Sequence, residues 1–311
     1  VVAVSLKNLA IQADAPVWLF PNVGSYFGGD LIAGILYSGL NTREETALLV
    51  DVGTNAEVIL GNRQWLMACA GAAGPALEGG AARMGMPAGP GAIDRIRVQS
   101  DTRQFEFHTI DDMPPRGICG SGLIDLAAQL FSAGMVDIRG RFIAAECGNL
   151  LKEIDGVRHL VVVPKTDSQT GKALTLSQID LDSLIRSKAA MYTILETITG
   201  SVGMQQHELG TFFVAGTFGA YIDPASAIAI GMLPDLPRDR YKSLGNSSLG
   251  GTTLALQSDA YHDQINQIRE RITYLELNVN QDFMNRFSAA KFLPHTNTKL
   301  FPSVKVVQTS T

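Results

Sequence analysis

Five consecutive residues, Asp51-Val52-Gly53-Thr54-Asn55, put an acid, a glycine and two neutral hydrogen-bonding side chains into one tight turn. An apolar run, Ala47-Leu48-Leu49-Val50, delivers them, and a second, Val58-Ile59-Leu60, leaves. A strand–turn–strand of this kind suits phosphate and magnesium. Gly53 can take backbone angles closed to other residues and lets N–H groups approach an anion. Thr54 and Asn55 add donors. Asp51 can hold Mg²⁺ through water, because Mg²⁺ takes few carboxylates and keeps much of its hydration. Glu57, on the departing strand, has two readings: a carboxylate that orients attacking water, or a solvated strand side chain. No Walker-type G-x-x-x-x-G-K-[ST] loop occurs in the chain, so a nucleotide would be held by other means. A D-x-G-T turn in a hairpin is also often only a turn, and the weight falls on its company.

Three more glycine-rich turns supply that company, at 70–80, 117–122 and 215–219. Strand–glycine–helix turns are general anion sites, because free N–H groups and the helix dipole favour phosphate. In the first, Gly74-Pro75-Ala76-Leu77-Glu78-Gly79-Gly80 places a carboxylate near a helix start. Glu78 reads equally as an acceptor for a ribose or adenine amino group and as an acid complementing the dipole. Gly117-Ile118-Cys119-Gly120-Ser121-Gly122 either cradles phosphate or caps its helix. In Gly216-Thr217-Phe218-Gly219, the two glycines let the chain lie flat on a planar ligand, with Phe218 a core plug or an adenine neighbour. Asn246 and Ser247, in the polar cluster 245–252, read as a helix N-cap.

The elements that must position these turns alternate between strand and helix, so the class is α/β. Gly28-Gly29-Asp30 opens a short apolar helix over Leu31–Leu36, closed by Gly39, whose Ala33 and Gly34 allow close approach by a neighbour. Runs at Ala47–Val52, Ala56–Leu60 and Gln64–Cys69 are joined by short turns and predict an antiparallel meander. Pro75–Met84 has helical character, Ile96–Val98 and Phe105–His108 are strand-like, and an amphipathic helix follows Gly122. The longest helix runs from about Ser177 to Gly200, with Ser177 and Asp180 forming an N-cap signature. Thr211–Val214 is a strand and Pro224–Ile230 a helix. The cluster 245–252 precedes helix to Arg271, followed by a strand at Thr273–Leu277 and a helix at Gln281–Lys291.

Composition narrows the chemistry. The 311 residues are 46% hydrophobic and 18% charged, enough for a large core. A net charge of −5 supplies no basic surplus for a polyanion, so no nucleic-acid partner is expected. No apolar run is long enough to span a bilayer, and no charged-then-apolar leader is present, so no membrane partner is expected and the expected compartment is the cytoplasm. Cys69, Cys119 and Cys147 are too few for a four-cysteine iron–sulfur cluster and too scattered for a disulfide framework. The five histidines are equally scattered. The chain starts at Val1 and runs directly into apolar sequence, as expected of a piece of a longer polypeptide.

D-V-G-T-N at 51–55 with its hairpin, C-A-G-A-A-G-P-A-L-E-G-G at 69–80 and V-A-G-T-F-G at 214–219 resemble the actin-like ATPase superfamily of acetate and sugar kinases, heat-shock chaperone ATPase domains and actin. Within it, the chain resembles the ATP-dependent reductive activators of corrinoid proteins. G-N-R-Q-W-L at 61–66, G-I-C-G-S-G-L-I-D at 117–125, G-M-L-P-D-L-P at 231–237 and G-N-S-S-L at 245–249 carry that likeness, over roughly residues 20 to 295.

The resemblance implies a ribonuclease-H-like fold, a mixed sheet flanked by helices with inserted elements. It implies ATP with Mg²⁺ bound between two lobes, and docking on a corrinoid protein of a methyltransferase system whose Co(II) is returned to Co(I). The electron comes from a 2Fe–2S cluster. Asp51, Gly53, Thr54 and Asn55 would be the second phosphate motif. Gly216, Thr217, Phe218 and Gly219 would be the adenosine motif, with Gly74, Glu78 and Gly79 nearby and Asn246 beyond it. Asp51 and Glu57 are the candidate catalytic residues, with Asp51 the Mg²⁺ ligand. Two features depart from the pattern: no earlier D-x-G-T turn precedes Asp51, and Thr217 stands where glycine or alanine is usual. The expected organisation is a lead-in and connecting helix at 1–45, an ATPase lobe at 46–295 with an insertion at about 75–175, and a tail at 296–311. The N-terminal lobe and the ferredoxin-like cluster domain would lie outside this chain, and a homodimer is expected by analogy. A small-molecule kinase or hydantoinase-like enzyme on the same fold, and a docking lobe without hydrolysis, are the competing readings.

Overall fold

The computed structural model describes residues 18–23, 27–53, 55–72, 82–99, 101–216, 219–277 and 282–305. Thr54, Gly74, Glu78, Gly79, Thr217 and Phe218 lie outside the described residues, as does most of the stretch 75–84.

Helix α1, Gly29–Ser38, ends where Gly39 turns left-handed at φ 66° and its N–H reaches the carbonyl of Leu36. Strands β1 (Ala47–Val52), β2 (Ala56–Gly61) and β3 (Leu66–Gly71) form the expected antiparallel meander. Next come β4 (Ala92–Val98), β5 (Phe105–Thr109), β6 (Gly117–Ile118), α2 (Gly120–Ser132) and the single turn α3 (Ala144–Cys147). A second hairpin follows, β7 (Leu151–Ile154), β8 (Val157–Val163) and β9 (Leu174–Ser177). Helix α4, Gln178–Ser201, opens on a full capping box: Asp180 N–H donates to Ser177 Oγ, and Ser177 N–H donates to Asp180 Oδ2. The chain closes with β10 (Thr211–Ala215), α5 (Pro224–Ala229), β11 (Tyr241–Gly245), α6 (Ser247–Gln257), α7 (Ala260–Arg271), β12 (Ile272–Tyr274) and α8 (Phe283–Ala290).

The central sheet has the order β11-β10-β1-β2-β3-β12. It is mixed: β1, β10 and β11 run parallel, as do β3 and β12, whereas β1, β2 and β3 alternate. Because successive strand residues point to opposite faces, both faces of β1 are apolar and buried. Leu48 and Val50 join Ile194, Leu195 and Ile198 of α4 on one side. Leu49 joins Ile32 and Ile35 of α1 and Ile265 and Ile268 of α7 on the other. Between β3 and α4 the chain builds two three-stranded sheets, β5-β4-β6 and β7-β8-β9. Helix α2 packs on β4, where a Cβ at Gly122 would fall 2.3 Å from the Ile93 carbonyl oxygen.

The polar cluster 245–252 differs from expectation. It does not precede a helix; from Ser247 onward it is the helix α6, with Asn246 as N-cap. Tertiary packing explains this. A Cβ at Gly251 would lie 2.0 Å from the Ala33 carbonyl oxygen, so small residues on both helices let α1 and α6 touch through their backbones. The helical stretch then breaks at Ser258 before α7, and β12 is shorter than the run 273–277 suggested. Among the described residues no helix is long and apolar enough to cross a membrane.

Candidate functional site

Strands β1, β10 and β11 all end on the same side of the sheet, as their parallel registers require, and a cleft of about 550 Å³ opens there. Asp51, Val52 and Gly53 line it from the β1–β2 turn, Gly216 from the end of β10, and Asn246 and Ser247 from the start of α6. Pro87, Ala88, Cys119, Gly120, Ser121 and Tyr221 complete its lining.

The backbone explains the convergence. Gly53 N–H donates to the Asn55 carbonyl at 2.9 Å and closes the turn. Gly53 itself stays out of the left-handed region, and a Cβ there would meet nothing nearer than 3.9 Å. Its value is an uncovered backbone. The steric requirement falls on Gly216 instead, at φ 88°, where a Cβ would stand 2.6 Å from Asp51 Oδ1 and 2.8 Å from the Val52 carbonyl oxygen. Gly216 N–H donates to the Gly245 carbonyl at 3.0 Å and ties the two turns together. Gly219 lies apart from the cleft lining, with Val214 Cγ1 2.8 Å from where its Cβ would stand. Asn246 has both roles at once: Oδ1 accepts from Leu249 N–H at 2.9 Å, and the residue lines the cleft.

Opposite Asp51 stands the N-terminus of α2. Its N-cap is Cys119, whose side chain makes no capping bond and instead donates to the Ile93 carbonyl at 3.3 Å, with Ser121 Oγ at 3.2 Å. No acid occupies the first turn, so the positive end of the helix faces the cleft without a counter-charge of its own. Asp125 fixes the helix by accepting from Ile96 N–H and from Ser226 Oγ, both at 2.6 Å. The sequence left open whether residues 117–122 cap or cradle. Gly122 packs on β4, Gly117 abuts Met84 and Met86, and only the middle of the motif, Cys119–Ser121, reaches the cleft.

The electrostatics are one-sided. Asp51 and Glu57 are direct cross-strand partners and so project from the same face. Burial, then the charge of Asp30, raises the Asp51 pKa above the usual carboxylate range. Burial, then Asp51 and then Asp30, pushes Glu57 up to about 7. Glu57 is thus a half-buried acid rather than a solvated one. No Lys or Arg comes within 4 Å of any of these three carboxylates among the described residues. Asp30 was expected only to open its helix; its field on the pair was invisible in sequence, where Asp30 and Asp51 lie 21 positions apart.

No group of three or more His, Cys, Asp or Glu is arranged to hold a metal among the described residues. A single half-buried acid across the cleft from the uncapped start of α2 nevertheless matches Mg²⁺, which retains waters and is completed by phosphate oxygens. An iron–sulfur cluster does not fit these residues: the three cysteines are buried in separate places, and burial pushes Cys69 up to about 12 and Cys147 up to about 11.

Residues 45–305 match the family described as the C-terminal domain of RACo, the ASKHA domain, and residues 1–43 match the RACo middle region. The chain belongs to the RACo C-terminal ASKHA domain family. Its fold is accordingly that of the actin-like ATPases, and a solved structure titled reductive activator for corrinoid, iron-sulfur protein superposes with a TM-score of 0.87 at 39% identity. That match covers 93% of this chain and 46% of the other. Corrinoid activation enzyme RamQ of Eubacterium limosum is 31% identical over 296 residues, 92% of this chain and 49% of that protein. The [Co(II) methylated amine-specific corrinoid protein] reductase of Methanosarcina barkeri is 23% identical over 287 residues, 85% of this chain and 49% of that protein. The chain thus spans about half the length of the curated relatives it matches. In this RACo-type ASKHA domain the cleft at the strand ends gathers Asp51, Gly53, Gly216 and Asn246, and adds Gly120 and Ser121 from the other side.

Proposed function

We propose that the cleft binds MgATP, and that the polypeptide carrying this chain uses it for reductive activation of a corrinoid protein, returning Co(II) to Co(I) for methyl transfer. One observation carries the reading. Asp51, the side-chain-free surfaces of Gly53 and Gly216, and the uncapped N-terminus of α2 face one cavity from two sides, in a chain with no lysine-bearing phosphate loop. Phosphate oxygens would take N–H groups from the first turn of α2, since the Gly53 N–H already closes its own turn. Asp51 would hold Mg²⁺ through water, and the exposed ring of Tyr221 offers the base an aromatic face. The bound cation supplies Lewis acidity and charge neutralisation at the transferred phosphoryl group. Thr54, Gly74, Glu78, Gly79, Thr217 and Phe218 extend the nucleotide site in this reading. Glu57, the cross-strand neighbour of Asp51 though not itself part of the cleft lining, would exchange a proton with water near the phosphates.

The rest of the assignment follows the resemblance. Residues 1–45 form the lead-in and connecting helix, 46–295 the ATPase lobe with its insertion at about 75–175, and 296–311 a tail. The 2Fe–2S cluster belongs to a separate ferredoxin-like domain of the intact protein. The partner is a corrinoid protein, the compartment is the cytoplasm, and the intact protein pairs as a homodimer. ATP binding can shift the partner's redox equilibrium only by as much as the activator prefers one cobalt state over the other.

Anaerobic absorbance spectroscopy tests this. The intact polypeptide, a candidate Co(II) corrinoid protein and a low-potential donor are mixed with and without MgATP. The expected result is ATP-dependent appearance of the Co(I) band. Phosphoryl transfer to sugars or short acids at full rate without a corrinoid protein would overturn the reading in favour of a kinase.

A further inference from the structure

A second cavity, of about 380 Å³, lies at the other end of the central sheet. Its lining includes Met204, Gln205, Gln206 and His207, just before β10 begins, and Pro234, Asp235 and Leu236, shortly before β11. Since β10 and β11 run parallel toward the nucleotide cleft, this cavity opens on the opposite side. Helix α4 contributes Tyr192, Glu196 and Thr199, and α8 contributes Arg286.

Its polar groups are unfinished in a specific way. Glu196 Oε2 and Gln206 Nε2 are both buried with no hydrogen-bond partner, one an acceptor and the other a donor. A buried donor or acceptor left unmet carries the cost of its lost hydration. Arg286 Nη1 donates to the Glu196 main-chain carbonyl at 2.6 Å, yet the two side chains form no ion pair. Gly200 makes room for the guanidinium, since a Cβ there would stand 3.0 Å from Arg286 Nη1. Asp235 is engaged by Ser303, and Lys299 stands exposed at the rim. A carboxylate, an amide donor and a guanidinium therefore border one cavity; the Arg286 charge reaches Glu196 and offsets part of its burial, yet Oε2 and Gln206 Nε2 are left without a hydrogen bond.

We propose that this cavity binds a small zwitterion, its ammonium on the Glu196 carboxylate and its carboxylate on Gln206 Nε2 and Arg286. A molecule with one cationic and one anionic end meets both orphaned groups at once, and charge-assisted bonds of this kind are the stronger class. The cavity volume falls in the range of small-molecule sites. The site is separate from the nucleotide cleft and does not depend on the reading given to it.

The test uses the chain with ¹³C-methyl methionine, following Met204 in the cavity and Met84 away from it by NMR. The probes are γ-aminobutyrate and its two halves, butylamine and butyrate. The expected result is a saturable shift of Met204 alone with γ-aminobutyrate, and binding of either half at least ~10-fold weaker. Glu196→Gln should weaken γ-aminobutyrate by a similar factor without lowering the melting temperature. No saturable shift with any probe would mean that water alone fills the cavity, and the proposal fails. It fails equally if a half binds as tightly as the whole, or if Glu196→Gln leaves affinity unchanged. Should that variant not fold, the comparison of whole and halves on the native chain still decides.

Discussion

At the ends of β1 and β2, Asp51 and Glu57 are partly buried carboxylates with a third acid nearby and, among the described residues, no cation beside them. On α4, Lys188 is completely buried, and its amine donates to the main-chain carbonyls of Phe292 and Pro294, the latter at 2.8 Å. Both regions hold ionisable groups away from water and both displace them from their ordinary pKa, the acids upward and Lys188 well downward, each chiefly through burial. The difference lies in what surrounds them. Lys188 has its acceptors inside the chain and ties α4 to the segment after α8. The acids repel one another beside an open cleft that Asp51 lines, and gain only when something positive arrives. A shifted pKa therefore marks burial; a missing partner marks a site.

The contrast breaks first at Lys188. Lys188→Ala removes the stem and orphans two carbonyls, and is expected to cost about 4 kcal/mol in denaturant unfolding. Lys188→Met, which refills the volume, should recover about half of that. A cost of under about 1 kcal/mol for the alanine variant would show that the carbonyls have other partners and that no tie exists.

Asp51→Asn should do the reverse. ATP hydrolysis by the intact protein is expected to fall by about 10²-fold, the scale of a lost electrostatic contact to the reacting group. The melting temperature of the nucleotide-free chain should rise, because a buried charge and its repulsion with Glu57 and Asp30 disappear. Joint loss of activity and stability would place Asp51 in the structural class with Lys188.

Gly216→Ala sharpens the geometry. A methyl group 2.6 Å from Asp51 Oδ1 at φ 88° must displace the carboxylate, so calorimetry should show ATP bound about tenfold more weakly. The accompanying stability loss is about 1 kcal/mol.

The smallest expected effect is on pH dependence. Burial, then Asp51 and Asp30, push Glu57 up to about 7 in the folded chain from an ordinary 4.5, so the folded state holds its proton more tightly than the unfolded one. Its contribution is complete below pH 4.5 and is lost as pH rises through about 7. Melting of the nucleotide-free chain should therefore fall across that window, and Glu57→Gln should flatten the fall. A native curve already flat there would show that Glu57 ionises normally.

Much of this architecture was legible where the signal is local. The capping box at Ser177 and Asp180, the left-handed stop at Gly39 and the meander from Ala47 to Gly71 are each written within a few residues. Strands β7 and β11 were not legible. Leu151–Ile154 is largely exposed and mixes apolar with charged residues, and Tyr241–Gly245 carries no strand pattern of its own; β10 supplies its parallel partner. Likewise, residues 117–122 gave no means of choosing between capping and cradling, because the answer depends on β4 occupying Gly122 and the cleft lying beyond Gly120.

The sequence by itself determined the pieces: which stretches pair or coil, which turn carries the acid, and that no lysine loop is present. Those follow from backbone preferences and apolar periodicity, which act over a few residues. Only the tertiary structure decided that Gly216, rather than Gly53, must be glycine, that Asp30 and Asp51 share a field, and that the start of α2 faces the β1 turn. It also decided that Lys188 is satisfied while Glu196 is not. Those outcomes depend on distances between residues far apart in the chain, and such distances exist only once the sheet has closed.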